Sequence, residues 1–544
     1  MQNDVPPRAP LSGQRFDVLV IGGGINGVAI ARECVRAGRR TLLVEQNDFS
    51  SGTTSRATRI IHGGLRYLEH GEINLVRESL RERERLLSDS PHLVRPLQFL
   101  LVLSNEHRSL LRNSLAIRTG LWLYHQWAGR RRPPASDLND FERQLDAGQT
   151  WSIYPYEDAQ CEFPERLVAE WLLEVMAGGG VVRNYTQVLQ VQCMDGEATG
   201  ARLRDRVSSL EFEVSARKIV NAAGPWVDFV VGASGLRKSA DATPLVGGVR
   251  GSHLVLTRFA GGPSQAIYTE AVDERPFFII PWNGQMLVGT TEVADNNPEN
   301  PQPSASEIDY ILTSLTKLLP HCGMSKADIH YTFAGIRPLP FSPGTSFAAV
   351  TRRHIVHDHR EDGAAGMISI VGGKLTTAVS LAREAVKKLG LPVREPAPIY
   401  IAPAPANGIE STLRQWSRLT ACKGNLPEAS AQAVAEWHGG RALAIAHTAC
   451  QNPNLALPLC PHSNHIVAEA VEAVLHECAM TLADILLRRV PVALGACWSE
   501  SCSRQAAKRI GTALGWNESR TAKELEKFEE ERERFLRPRT AHVA

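Results

Sequence analysis

Three glycines, Gly22, Gly24 and Gly27, stand in the run FDVLVIGGGINGVAIARECVRAGRRTLLVEQ, which starts at Phe16. The spacing G-x-G-x-x-G after a short apolar run is chemistry for holding a pyrophosphate. The first glycine permits a tight turn, the second lets backbone approach the phosphates, and the third lets the next helix lie close to the strand. Free N–H groups at the helix start, with the positive end of its dipole, face the anion. Asn26 sits inside the same turn, and Glu45 follows the second apolar run, where a carboxylate accepts hydrogen bonds from ribose hydroxyls. The loop DFSSGTTSRATR then offers Thr53, Thr54 and Ser55 to a second phosphate or a long polar cofactor. NAD and FAD both use this unit. A polar loop that runs directly into the glycine pair of IIHGGLRYL fits a flavin laid across the domain.

Redox chemistry that moves a proton needs a base, and imidazole titrates in the useful range. His62, in IIHGG, is read as that base, and His253, in GSH, as a pocket residue or its substitute. Arg337 lies among apolar residues in AGIRPL and reads as an arginine at the end of a buried strand. A buried guanidinium requires an anion, which a bound substrate or an Asp or Glu would supply. Lys374 in GGKLTT opens an expected helix, LTTAVSLAREAVKKL, whose start carries positive character. Beside a flavin it would stabilise the charge of the reduced ring, with Thr376 and Thr377 bonding the cofactor. The stretch HIVHDHR has H-x-x-H-x-H spacing, but the EDGAAG after it reads as a hairpin turn. His462 and His465 are read in the same way, and no metal site is assigned. The ten cysteines show no C-x-x-C pair, as expected of free thiols in a reducing compartment.

These residues need more than one core to position them. A chain of 544 residues divides into two or three domains. Its 43% apolar and 22% charged content is that of a soluble globular protein, and a net charge of +2 gives no basic field for nucleic acid. No apolar run approaches the ~18 residues of a spanning helix. Residues 1–15 read as a loose arm. Segments 16–90, 167–231 and 347–390 form a discontinuous nucleotide domain, with 91–166 a helical insertion. Residues 240–346 alternate like an antiparallel sheet, in SHLVLT, FFIIPW and MLVGTT. After the proline-rich LPVREPAPIYIAPAPANG, residues 405–544 look helical, over 430–450, 466–487 and 503–535. In LAIRTGLWLYHQWAGRRRPP, Trp122, Tyr124 and Trp127 precede Arg130, Arg131 and Arg132, a composition suited both to a helix lying on a membrane and to core packing with a solvated basic end.

The block SGTTSRATRIIHGGLRYLEHGEINLVRESLRERERLL resembles the FAD-dependent glycerol-3-phosphate dehydrogenases, within the D-amino-acid-oxidase-like flavoproteins. Further similar blocks follow in order: KIVNAAGPWVD, RGSHLVL, FFIIPWNGQMLVGTTE, YTFAGIRPL, VGGKLTT and MTLADILLRR. The resemblance implies an α/β fold with an FAD-binding Rossmann-like domain, an antiparallel substrate domain and a helical C-terminal domain. It implies FAD contacts from His62, Gly63, Gly64, Ala223, Gly224, Gly373, Lys374, Leu375 and Thr376. Arg66, Tyr67 and Arg337 are implied to meet the substrate, with Thr290 and Thr291 as further donors. The implied reaction oxidises sn-glycerol 3-phosphate to dihydroxyacetone phosphate by hydride transfer to flavin N5. Electrons would go to a membrane quinone, from a possible homodimer held peripherally on the cytoplasmic face of the inner membrane. The rivals are an oxidase using dioxygen, an amine or amino-acid oxidase of the same superfamily, and a flavin-bearing scaffold without turnover. One stretch, TACQNPNLALPLCPHSNH (Thr448 to His465), departs from the family pattern.

Overall fold

A computed structural model describes residues 8, 10–68, 71–105, 114–128, 138–237, 243–259, 262–345, 347, 350–394 and 408–536. Most of the N-terminal arm, Arg130 to Arg132 and most of the proline-rich bridge lie outside the described residues.

Two sheets carry the molecule. The first has eight strands, and its middle is parallel. Arg15–Ile21 lies between Thr41–Val44 and Glu211–Asn221, with Val181–Arg183 and Met367–Val371 outside them. The short runs at 18–21 and 42–44 are wholly apolar because both faces are covered. Helices Ile25–Arg36, Pro164–Ala177 and Ala378–Lys388 pack on one face, around Val28, Leu172 and Leu381. The strands of this sheet come from three separated stretches of the chain, 15–44, 181–221 and 355–371. HIVHDHR forms the hairpin expected of it, strand Ile355–Asp358 pairing antiparallel with Met367–Val371.

The second sheet has nine strands. Val246–Leu256 and Ile329–Pro340 pair antiparallel along almost their whole length, and Pro276–Trp282 and Gln285–Gly289 make a tight hairpin beside them. Helix Ala305–Leu318 covers one face. One pairing is parallel, Ala266–Glu270 against Val94–Ser104.

That last strand corrects the expectation of a helical insertion over 91–166. Val94–Ser104 and Trp151–Cys161 pair antiparallel over eleven residues each, with helix Ser114–Ala128 between them in the chain. Phe99 to Val102 are all buried, so the run is continuously apolar and lacks the two-residue alternation that marks a half-exposed strand. The three expected C-terminal helices are each divided. Glu428–His438 stops at Gly439, whose φ is +55°, before Ala442–Gln451 begins. Val467–His476 breaks at Cys478, before Leu482–Asp484 and Ile485–Arg489. Gly515 separates Glu500–Ala513 from Glu518–Leu536. Among the described residues no helix is long and apolar enough to cross a membrane.

Candidate active site

A cavity of about 740 Å³ runs from the ends of the parallel strands to the second sheet. Gly22, Gly24, Asn26, Glu45, Thr53 and Thr54 line its first part. Gly22 has φ +106°, and a Cβ there would stand 2.5 Å from the Ala222 carbonyl oxygen. A Cβ on Gly27 would stand 1.9 Å from the Gly22 carbonyl oxygen, so Gly27 serves close packing of helix on turn and does not line the cavity. The start of helix Ile25–Arg36 has no side-chain cap, apart from the Ile25 N–H that donates to Thr54 Oγ1 at 3.0 Å. Glu45 accepts from the Gly23 and Asn47 N–H groups at 2.7 and 2.9 Å, and burial still pushes its carboxyl above the ordinary range. Ala223 and Gly224 close the cavity from strand Glu211–Asn221.

The segment IIHGG crosses the middle. Ile60–Ile61 pairs with strand Trp151–Cys161, and the next residues leave the sheet edge. The Gly63 N–H donates to Tyr124 Oη at 2.8 Å and lies 3.2 Å from Asp158 Oδ1. Tyr124 donates to the same oxygen at 2.6 Å, and Arg83 Nη1 also reaches it at 2.6 Å. Gly63 thus sits against this buried network, behind the cavity wall, while His62, Gly64 and Tyr67 face the cavity. The Thr376 hydroxyl accepts from the His62 N–H at 3.2 Å. Burial, and then Lys374, lower the His62 imidazole to about 3, so it is neutral.

A lobe of about 210 Å³ shares these walls and is lined by His62, Tyr67, Arg337, Arg352, Arg353 and Lys374. Arg337 Nη2 donates to Thr290 Oγ1 at 2.8 Å and Nη1 to the Thr291 carbonyl at 3.2 Å. Among the described residues no carboxylate pairs with it, and burial lowers its guanidinium to about 10. Arg337 lies inside strand Ile329–Pro340, opposite Val249, and not at the strand's end as expected. Its head fits because the strand neighbour is Gly251, whose added Cβ would stand 2.3 Å from Nη2. Arg352 is held by Glu292 at 2.9 Å. Lys374 Nζ is 4.0 Å from the Tyr67 ring centre. Burial, with a further push from Arg352, lowers its ammonium to about 7. Helix Ala378–Lys388 begins four residues later, so Lys374 stands in the strand–helix turn with Gly372 and Gly373, both at positive φ, and does not open the helix. Leu375 and Thr376 also line the cavity. His253 lines it as well, bonded to Thr58 at 3.0 Å and stacked on Phe333, with its imidazole lowered to about 3 by burial.

Two expected contacts stand apart. The Ser55 hydroxyl donates to the Ser50 carbonyl at 2.6 Å and ties the loop to itself. Thr291 donates to Glu307 at 2.7 Å behind the wall and positions Arg337 through its carbonyl. The Arg66 side chain lies outside the described residues. Sequence reasoning missed Arg352, for which the arginine pair in TRRH was the only signal, and Gly251, inside a block that was singled out. It also missed a buried clamp behind the cofactor loop. Asp48 accepts from Arg489 Nη1 and Nη2 at 2.7 and 2.8 Å and from Arg488 Nε at 2.5 Å. Arg488 further bonds Asp484 and Glu531. The clamp joins the first βα unit to MTLADILLRR, whose arginines are 440 and 441 residues away in sequence.

The cavity suits a dinucleotide. Three buried polar atoms, Lys374 Nζ, Asn26 Oδ1 and His253 Nδ1, have no hydrogen-bond partner among the described residues, and the residues that carry them line the cavity. Such atoms are costly unless a bound group satisfies them.

The family described as "FAD dependent oxidoreductase" matches residues 17–379, and "C-terminal domain of alpha-glycerophosphate oxidase" matches residues 367–521. A glycerol-3-phosphate dehydrogenase of Synechocystis sp. is 36% identical over 95% of this chain and 96% of its own. An aerobic glycerol-3-phosphate dehydrogenase of Escherichia coli is 34% identical over 73% and 76%. A D-erythritol 1-phosphate dehydrogenase of Brucella abortus is 34% identical over 69% and 73%. The solved glycerol-3-phosphate dehydrogenase of Bacillus halodurans, complexed with FAD, shares the fold at a TM-score of 0.75, with 24% identity and 96% of each chain covered. The two-sheet architecture, the glycine turn and the matched segments agree: the chain belongs to the FAD dependent oxidoreductases, and its cofactor is FAD.

Proposed function

We propose that this enzyme oxidises sn-glycerol 3-phosphate to dihydroxyacetone phosphate and passes the electrons to a membrane quinone. The observation that carries this reading is the lobe in which Arg337, Arg352 and Lys374 share walls with His62 and Tyr67. Arg337 is bonded to neutral oxygens alone, so its charge calls for an anion. Several cations around a small volume favour a phosphate dianion over a single carboxylate, which argues against an amino-acid substrate. The relatives' names carry the same chemistry, phosphorylated polyols.

Gly22, Gly24, Glu45, Thr54, Ala223, Gly224 and Thr376 would hold FAD. When bound, FAD supplies at its N5 the acceptor for the hydride that leaves C2 of the substrate. The protein does the rest. Arg337 and Arg352 grip the phosphate, and Tyr67 orients the three-carbon chain. Neutral His62 accepts the hydroxyl proton, and the substrate's negative charge offsets the Lys374 charge that holds this imidazole down. Protonated Lys374 steadies negative charge beside it. A second assignment exchanges the two roles: Lys374, lowered to about 7 and without a hydrogen-bond partner at Nζ, could itself be the base.

The test is anaerobic mixing of the FAD-loaded enzyme with sn-glycerol 3-phosphate. The yellow flavin should bleach, while glycerol and amino acids leave it unchanged. A soluble quinone should then restore the colour faster than dioxygen. No bleaching ends the substrate assignment, and faster reoxidation by dioxygen, with peroxide released, ends the quinone assignment.

A further inference from the structure

The stretch that departs from the family pattern, Thr448 to His465, ends against the start of helix Glu500–Ala513. There the ligand atoms of Cys460, His462 and Cys502 lie within 4.8 Å of one another. We propose that Cys460, His462 and Cys502, with Cys497 as the fourth ligand, bind a zinc ion in a closed tetrahedral site. None of the four lines the flavin cavity.

Three observations carry the proposal. The first is donor type and geometry. Three thiolates and an imidazole are a donor set of structural zinc. Ligands ~2.3 Å (sulfur) and ~2.0 Å (nitrogen) from an ion at the tetrahedral angle stand ~3.5 Å apart. Cys502 Sγ and His462 Nδ1 are 3.5 Å apart. Cys497 lies five residues before Cys502, a C-x-x-x-x-C spacing found in zinc sites. Its carbonyl already lies 3.8 Å from Cys502 Sγ.

The second is that the Cys502 sulfur already has polar groups turned to it. The Ser499 hydroxyl donates to Cys502 Sγ at 3.5 Å. Donors aimed at sulfur stabilise thiolate, the form that binds metal.

The third is access and closure. Cys460 and Cys502 are fully buried, whereas His462 and Cys497 are exposed, so an ion enters from solvent and is sealed by the imidazole. The other histidine cluster, His357, His359 and Asp362, differs. Both ring nitrogens of His359 are already committed, to Asp362 and Ser369, at 2.7 Å each.

Zinc binding here would release the remaining thiol protons to solvent and pin the loop before helix Val467–His476 to the start of helix Glu500–Ala513. The FAD-loaded full chain, purified without chelators, should carry about one zinc per chain by elemental analysis. His462→Ala, at an exposed position, and Cys502→Ser should each reduce this to none while FAD content stays unchanged. Cobalt in place of zinc should give tetrahedral d–d bands to the red of the flavin spectrum, and Cys497→Ser should weaken the sulfur charge-transfer band. Protein that stays metal-free after equilibration with Zn2+ would overturn the site. So would zinc retained in full by both variants, or a Cys460–Cys502 disulfide in protein purified under reducing conditions.

Discussion

At the scale of single residues, Arg337 is the sharpest case. Its guanidinium is half-buried, carries no carboxylate partner among the described residues, and has room only because residue 251 is glycine. Arg337→Leu removes a charge-assisted grip on the substrate. The expected loss is about 3 kcal/mol, or roughly hundredfold in kcat/KM, with FAD still bound. Lys374 gives a second prediction with a definite sign. Its ammonium is lowered to about 7 in the free protein. As a charge stabiliser it must be protonated, so kcat/KM should fall as pH rises through about 7. A profile that rises through that window would make Lys374 the base in place of His62. Most of these residues were legible in the sequence because glycines flank them and fix where the chain can go. Arg352 was not, since a surface-like TRRH carries no periodic signal. Ser55 and Thr291 do not line the cavity, and their hydroxyls bond protein instead.

At the scale of elements, the HGG turn depends on what stands behind it. A methyl group on Gly63 would come 2.4 Å from Tyr124 Oη and 2.5 Å from Leu80, while the Gly63 N–H is tied to the Tyr124–Asp158–Arg83 network. Gly63→Ala should therefore destabilise by about 2 kcal/mol through overpacking and shift His62 out of register. A lower thermal midpoint together with reduced kcat would show this, and an unchanged midpoint would contradict it. This support was the least legible part of the fold. Tyr124 reads as part of an aromatic, cationic stretch suited to a membrane surface, yet it is fully buried and braces the active-site turn. The run Phe99 to Val102 in strand Val94–Ser104 is buried on both faces, and local pattern cannot separate such a run from a buried helix. The parallel βα unit at the N-terminus was legible because strand, turn, helix and acid each have a local cause. The breaks at Gly439, Cys478 and Gly515 in the C-terminal helices depend on tertiary packing, which periodicity does not record.

At the scale of the whole molecule, Trp122 is 59% exposed on the outer side of helix Ser114–Ala128, while Arg77 covers Trp127. Peripheral attachment through this helix predicts that Trp122→Ala weakens co-sedimentation with anionic vesicles severalfold without changing flavin reduction. Equal sedimentation would remove this helix as the contact. The Asp48–Arg488–Arg489 clamp leads to a different expectation. Asp48→Ala leaves two buried guanidiniums short of their shared partner, which costs about 3–5 kcal/mol. Thermal unfolding should shift down accordingly, and FAD should dissociate faster. The clamp also bears on how the protein is made. Asp48 emerges from the ribosome long before the arginines that neutralise it, so the nascent flavin pocket begins with an unmatched buried acid. Stable cofactor loading should therefore wait until translation has passed Arg489. Stalled chains that end before that point should capture little flavin, however complete their first domain.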